Sequence, residues 1–585
     1  MKKIFKMFSA KDVFYAVFAV IFIVLQVWLD LTMPDYTAGL TEAVSGGNLT
    51  MSVILKNGGM MLLCAAGSLA CSIICGYFVA TIAASFSKNV RQSLFDKVTS
   101  FSAKEMNGFS TSSLITRTTN DVEQLHRFIA MGLQMLIKAP ILAIWAISKI
   151  SASSIEWTTA TVICVAIIVI TVGIIVGLCL PRFKKVQKLT DNLNTATREN
   201  LSGVRVVRAF NAEEYQEAKF EKANDELTKN QLFTSKAMGL LTPVLTLCMN
   251  GLTLAIYWIG ATLVNKAATP EKVVIIGNMA AFTQYALQVV MAFMMLIMMF
   301  IMLPRVIVSG KRISEVLNTE PSVKDGEVLL KVGEEKTAPS VEFRNVSFSY
   351  SGLGNENVLE DVNLTVNKGE TLAIVGATGS GKTTIIDLLT RVYDVTSGEI
   401  LVDGINVKDY KESDLQDKIA VTSQRAALFK GDIASNVSYG SKVKDDERVE
   451  AALKVAEAEF VSGEGVGIHA PVAQGGTNFS GGQKQRISIA RTIYKDSPIM
   501  VFDDSFSALD YKTDSLVRKN IKENFPDRTV IIVAQRIGTV MNADKIAVID
   551  DGRIAGFGKH EELLKSCSVY KSIALSQLNK EELGL

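Results

Sequence analysis

Long apolar runs separated by charged connections fill the first half of the chain, and short alternating or apolar runs punctuated by glycine fill the second. Six apolar stretches stand before about residue 310: Val13 to Met33, Met60 to Phe86, Phe128 to Ile150, Thr158 to Leu180, Met238 to Val264, and Val273 to Val308. A membrane helix needs roughly 20 apolar residues, so each is long enough to cross. The connections Ser87 to Arg127 and Pro181 to Ala237 are long, polar and helix-like, which predicts structured extensions rather than turns. A charged linker from about Asn318 to Ser340 contains Pro321 and Pro339, and the pattern then changes. Val341 to Tyr350 alternates like a strand, Glu370 to Val375 and Ile499 to Asp503 read as apolar strands, and Thr384 to Leu389 opens an amphipathic helix. The predicted organisation is an all-α six-helix transmembrane domain over residues 1–317, a linker over 318–340, and an α/β domain over 341–585.

Composition and charge sharpen this picture. Hydrophobic residues make up 48% of the 585 positions, and the mean hydropathy of +0.26 is high for a soluble protein. Lysine and arginine cluster at one side of the spans: Lys2, Lys3, Lys6 and Lys11; Lys88, Arg91, Lys97 and Lys104; and Arg182, Lys184, Lys185 and Lys188. The segment from Asp35 to about Leu55 has neither residue. The positive-inside bias therefore predicts a multi-pass protein of the cell membrane, in contact with membrane lipid, with both termini and the second domain cytoplasmic. The first apolar run lacks a convincing cleavage site for a signal peptide. Six of the seven cysteines fall in predicted spans and the three histidines are scattered, so neither a disulfide framework nor a histidine-rich metal site is expected. A net charge of +2 gives no reason to expect a nucleic-acid partner.

The chemistry concentrates in the second half. Gly376-Ala-Thr378-Gly379-Ser380-Gly381-Lys382-Thr383, with Thr384 following, fits G-x-x-x-x-G-K-[ST] between a strand and a helix. Glycines there let backbone N–H groups approach phosphate oxygens, the lysine reaches the terminal phosphates, and the hydroxyl meets Mg²⁺. ATP or GTP binding is expected. Further on stands Phe479-Ser480-Gly481-Gly482-Gln483, a helix start whose N–H groups and dipole suit an anion.

That run, with Gln485 to Arg491 behind it, resembles the signature of ATP-binding cassette (ABC) proteins. The whole chain resembles the six-span, membrane-first (type IV) exporters of that superfamily: an all-α six-helix transmembrane domain followed by an α/β P-loop ABC nucleotide-binding domain. The resemblance implies ATP and Mg²⁺ as cofactors and two cassettes clamped head to tail, each site joining one chain's phosphate loop to the other's signature. It also implies roles for single residues. Tyr350 matches the adenine-stacking aromatic, Gln424 the glutamine that senses Mg²⁺ and γ-phosphate, Asp503 the metal-holding aspartate, and Ser507 to Asp510 the dimer-contacting loop. Leu114 to Val122 and Leu201 to Phe210 look like the two intracellular loops whose tips transmit cassette motion.

Two departures refine the expectation. Asp504 stands where the family has the glutamate that polarises attacking water, and Gln535 where it has a switch histidine; Gln474 also replaces a common glutamate. Aspartate keeps the charge but is one methylene short, and glutamine cannot carry a proton near neutral pH. The pattern resembles the degenerate-site subunit of heterodimeric bacterial multidrug exporters, which implies a non-identical partner with the consensus glutamate and histidine, and slow hydrolysis at this chain's own site. The cargo is less legible. The methionine-dense last span, Met291 to Met302, is either an adaptable surface for amphipathic compounds or packing, and Asp30 is placed at the outer headgroup boundary, with attraction of cationic drugs as its alternative. A peptide or lipid exporter of the same fold is the nearer rival, and an ATP-gated channel or sensor the more distant one.

Overall fold

A computed structural model describes the chain except for residues 1–3, 5, 48–49, 152–154, 327–337, 351–355, 464–466, 580–582 and 584–585. Lys2, Lys3 and much of the expected linker lie outside the described residues. The chain divides into two compact units: Met1–Lys97 with Ser112–Asn318, and Val98–Thr111 with Thr319–Leu585.

Among the described residues, six helices long and apolar enough to cross a membrane build the first unit: α1 (Ala10–Ser45), α2 (Met51–Thr99), α3 (Thr111–Ser151), α4 (Ile155–Ser202), α5 (Glu213–Lys266) and α6 (Thr269–Asn318). They overrun the apolar stretches. The 49 residues of α2 span about 74 Å at 1.5 Å per residue, more than twice a hydrocarbon core, because the polar connections continue the helices instead of interrupting them. Ser9 and Asp12 form a capping box at the start of α1, and the Asp12 carboxylate also accepts from Ser85 at 3.2 Å. The core joins Ile23, Val27 and Leu31 of α1 to Ala139 and Ala146 of α3 and to Tyr285, Val289 and Val290 of α6, all nearly inaccessible.

Polar ties bind α3 to α6 beyond that core. Arg117 Nη1 donates to the Arg312 carbonyl and to Glu315, each at 2.7 Å. Asp121 accepts from Ser309 at 2.8 Å and pairs with Arg312 at 3.2 Å. The segment Leu114 to Val122 is therefore a brace within the helical unit. The turn before it, Val98–Thr111, groups instead with the second unit. There Phe101 stacks on Phe109, Ser102 shares a hydrogen bond with Ser322 at 2.8 Å, and the Asn107 amide donates to the Tyr393 hydroxyl at 2.9 Å.

In the second unit a six-stranded sheet runs in the spatial order Arg553–Gly558, Lys545–Asp550, Thr371–Gly376, Thr529–Val533, Ile499–Asp503, Ile419–Thr422. All neighbours are parallel except the first pair. Runs such as Ile499 to Asp503 and Thr529 to Val533 are buried at every position, as a parallel sheet covered on both faces requires. An antiparallel sheet carries Leu359–Val366, Val341–Phe348, Ser397–Val402 and Ile405–Asn406.

Parallel pairing sets Val533 against both Ile374 and Asp503. Three loops consequently leave the sheet at one edge, where open α/β sheets place their ligands. The segment after Val533 is fixed by a buried polar knot: Asp514, fully inaccessible, accepts from Arg518 at 2.7 Å and from Thr539 at 2.9 Å, and Arg518 also donates to the Thr539 carbonyl at 2.9 Å. Replacing Asp514 by alanine leaves the half-buried Arg518 guanidinium without its carboxylate and the buried Thr539 hydroxyl unpaired, and is expected to cost about 3 kcal/mol. Asp514→Asn should cost clearly less, and unfolding midpoints of the purified variants check the order.

Candidate functional site

The phosphate loop needs backbone conformations that side chains oppose. Gly379 has φ +85° and Gly381 φ +102°, and a Cβ on Gly381 would lie 2.7 Å from Leu359 Cδ2. A Cβ on Gly376 would run into the Ile549 carbonyl. With glycine at these places the loop leads directly into the start of α7 (Lys382–Leu389), with Gly381 at its cap, a helix N-terminus of the kind that suits an anion. Lys382 Nζ folds back onto the carbonyls of Gly376 at 3.0 Å and Ala377 at 2.6 Å. Burial lowers the pKa of that ammonium, while the charges of Asp504 and Asp503 oppose the effect. Ser380 Oγ is buried without a hydrogen-bond partner, an orphan that a phosphate oxygen would satisfy. The cradle fits the phosphates of a nucleotide.

Across from the loop, Thr383 Oγ1 donates to Asp503 Oδ1 at 3.5 Å. The two residues that the motif assigns to Mg²⁺ are thus adjacent, one hydroxyl and one carboxylate, the oxygen ligands this hard cation takes. Burial raises the Asp503 pKa, the Thr383 bond lowers it, and the neighbouring Asp504 charge raises it again. A bound metal ion would supply the missing positive charge at this spot and polarise a phosphate oxygen.

Asp504 holds the centre. Its backbone is in the left-handed region, φ +46°, with its N–H on the Val533 carbonyl at 3.0 Å. One carboxylate oxygen, Oδ2, accepts from the Gln424 amide at 3.2 Å and from the Gln535 amide at 3.0 Å. Gln424, Asp504 and Gln535, far apart in sequence, therefore meet on one atom. With Gln424 and Gln535 donating to it, that atom is engaged as an acceptor, which weakens it as a base toward water.

Tyr350 lies near the far end of the loop. Its hydroxyl bonds Thr384 Oγ1 at 3.0 Å, and its ring packs edge-on against Phe348 and Tyr393, centroids 4.8 and 5.2 Å away. The residue remains 45% exposed, leaving surface for a flat base. Thr378 lies in the turn of the loop itself.

The signature occupies a different surface. Ser480 caps α8 (Gly481–Lys495): its hydroxyl accepts from the Gln483 N–H at 3.3 Å, and the Gln483 side chain accepts from the Ser480 N–H at 2.8 Å. Ser480 and Gly481 are exposed, Gly482 and Gln483 half-buried. No atom stands within 4 Å of a Cβ built on Gly481, so this helix start is open to an incoming group. Gln474 sits in a short helical turn nearby, with Gly475 at φ +69°.

Two further residues complete the site and were not singled out by the motifs. Gln577 donates to the Gln535 carbonyl and accepts from the Ile537 N–H, each at 2.8 Å, so it holds both sides of the Gln535 segment. No sequence pattern marks it. Asp387 had a readable signal, an acid among the buried residues Thr384, Ile385, Ile386, Leu388 and Leu389 of α7. It lines a cavity of about 550 Å³ with Thr383, Gln424 and Asp503.

A phosphate loop at the edge of a parallel sheet, an acidic pair at the end of the strand two places over and an exposed serine-capped helix define an ATP-binding cassette, here in a chain with six membrane-capable helices among the described residues. Comparison with known families agrees: residues 16–293 match the ABC transporter transmembrane region and residues 359–507 the ABC transporter domain. The chain belongs to the ABC transporter family. It is 37% identical over 557 residues to an uncharacterized ABC transporter ATP-binding protein of Mycobacterium bovis, covering 94% of this chain and 93% of that one. It is 30% identical over 502 residues to the putative multidrug export ATP-binding/permease protein YgaD of Bacillus subtilis, covering 85% and 84%. The solved structure of a bacterial Atm1-family ABC exporter with ATP bound has the same fold, with a TM-score of 0.79 at 24% identity over 96% of this chain and 97% of that one. ATP-driven transport across a membrane follows from the family.

Burial, then the Asp503 charge, pushes the Asp387 pKa up to about 6. A carboxyl whose folded pKa exceeds its unfolded one stabilises the fold at low pH, and that stability is lost as pH rises from about 4 through about 6. Asp387→Asn removes this loss. Its melting temperature should rise relative to the unaltered protein as pH climbs through that window and hold a constant lead above it; a lead independent of pH would contradict the assignment.

Proposed function

We propose that this chain is one half of a heterodimeric exporter that moves amphipathic compounds out of the cell, with a slowly hydrolysing ATP site of its own and a signature that completes the competent site of a non-identical partner. The observation that carries the proposal is the Asp504 carboxylate, short by one methylene and engaged by the amides of Gln424 and Gln535. Water must be activated by a correctly placed acceptor, and a misplacement near 1 Å costs on the order of 10²-fold in rate. Gln535 adds no remedy, because an amide does not titrate where histidine does.

Binding, by contrast, keeps its full apparatus. Tyr350 takes the adenine, the loop from Gly376 to Thr384 takes the phosphates, and Thr383, Asp503 and Gln424 hold Mg²⁺. ATP bound here stays through several turnovers of the other site. The exposed Ser480 and Gly481, with Gly482 and Gln483 behind them, serve the partner's ATP, where their N–H groups face developing charge. The lysine and arginine bias puts both termini and the cassette in the cytoplasm, and the turn Val98–Thr111 carries cassette motion toward the helices. Drug export is favoured because a relative covering 85% of this chain bears the name of a putative multidrug exporter.

Steady-state ATP hydrolysis and dye efflux, with the partner co-purified in lipid vesicles, test the assignment. Gly481→Asp should depress turnover by about 10²-fold or more, the scale of losing preorganised donors. Asp504→Asn should leave it within about one order of magnitude, since the affected site contributes little to turnover. If the two variants fail equally, or if this chain alone forms a homodimer with full turnover, Asp504 is a working catalytic carboxylate and the degenerate-site reading falls.

A further inference from the structure

Lys138 stands in the middle of the apolar stretch Phe128 to Ile150 and pairs with Asp30 of α1. Asp30 lies 15 residues before the Ser45 end of its helix, about 22 Å along the axis. Its other anchor, Ser68, lies 17 residues after the Met51 start of α2, about 25 Å along. Lys138 is thus ten residues inside its apolar stretch and Ser68 eight residues inside Met60 to Phe86, while Asp30, three residues before the Met33 end of its own stretch, pairs with both. Ionisable side chains at that depth are costly and mark pathways or binding sites.

The two charges are unequally satisfied. Asp30 Oδ1 accepts a short bond from Ser68 Oγ, 2.5 Å, and Oδ2 accepts from Lys138 at 3.4 Å. That ion-pair distance is long for charge-assisted N–H···O, which centres on about 2.7–2.9 Å; Lys149 and Asp35, on the same two helices, close to 2.7 Å. An ammonium has three donors, and Asp30 is the one hydrogen-bond acceptor of Lys138 among the described residues. The Lys138 side chain keeps 19% of its surface and Asp30 29%, so both can be approached. Beside them Gln288 of α6 donates to the Asp30 carbonyl at 3.1 Å, while its own side-chain carbonyl is buried without a partner. The surplus is thus a cationic donor and a neutral acceptor. Met291 and Met295 follow Gln288 by one and two helical turns, an adaptable surface for an alkyl body.

We propose that Lys138, Asp30 and Gln288 form a substrate subsite for an amphipathic carboxylate with a neighbouring N–H donor, the chemistry of an N-acyl amino acid. The inference rests on the exporter reading. The carboxylate takes the unused donors of Lys138, and the adjacent N–H takes the Gln288 carbonyl. Cationic amphiphiles are disfavoured, because the acid they would seek is already engaged by Ser68 and Lys138.

Equilibrium binding of radiolabelled N-dodecanoylglycine and of dodecyltrimethylammonium to the full chain in lipid nanodiscs, without ATP, tests this. The carboxylate should bind saturably. Lys138→Gln should weaken it by about tenfold or more, as loss of a charge-assisted hydrogen bond does, and Lys138→Arg should restore most of it. Asp30→Asn should hold or tighten carboxylate binding. Should Lys138→Gln alone not fold, the neutral pair Asp30→Asn with Lys138→Gln serves in its place. Absence of saturable carboxylate binding, unchanged affinity on removing the Lys138 charge, or saturable cation binding abolished by Asp30→Asn would overturn the proposal. Because no ATP is needed, carboxylate binding without vectorial transport would sustain the subsite and count against export alone.

Discussion

Parallel pairing of three strands governs what the cassette can do. Thr371–Gly376, Ile499–Asp503 and Thr529–Val533 run in the same direction with Val533 level with Asp503, so the loop carrying Lys382, the acids Asp503 and Asp504, and the Gln535 segment emerge within reach of one another. The register is rigid because every residue of the two inner strands is buried; a shift by one position would turn apolar side chains away from their packing partners. Everything chemical follows from that edge. A hydroxyl meets a carboxylate at Thr383 and Asp503, and two amides meet a second carboxylate at Asp504.

Like charges crowd that edge. The Asp503 charge adds to burial in raising the Asp387 pKa, and the Asp504 charge adds to burial in raising that of Asp503. Lys382 stands opposite, and Arg425 and Lys495 line the same cavity as Asp387 and Asp503. A divalent cation between these carboxylates and a polyphosphate would relieve the repulsion between them, so metal and nucleotide would favour each other's entry.

Much of this was legible in the residues. The phosphate loop, the strand ending in Asp503 and the serine at the start of α8 each need particular residue types at fixed spacing, so their placement could be read before any coordinates. Sequence gave less on what binds segments distant along the chain. Nothing near Gln577 marks it as the brace of Gln535, because the bond depends on where the C-terminal helices pack. Asp30 is a related case. Its position close to the end of an apolar run pointed to the membrane surface, and its long-range partners Ser68 and Lys138 could not be read from the chain because they depend on how α1, α2 and α3 pack. Likewise the motif-like stretch Leu114 to Val122 stands in the helical unit, while the unremarkable Val98–Thr111 turn groups with the cassette.

Gln577 has a consequence for the timing of movement. Its carboxamide lies alongside the backbone at Gln535 and Ile537, giving one bond and taking one, much as a neighbouring strand would. The segment is in effect stapled to the turn that follows the helix Ser568–Leu575, and any swing of Gln535 toward or away from a nucleotide would have to drag that turn along or release both bonds together. Such all-or-none release would make a latch with two discrete positions, its dwell time set more than forty residues downstream of Gln535.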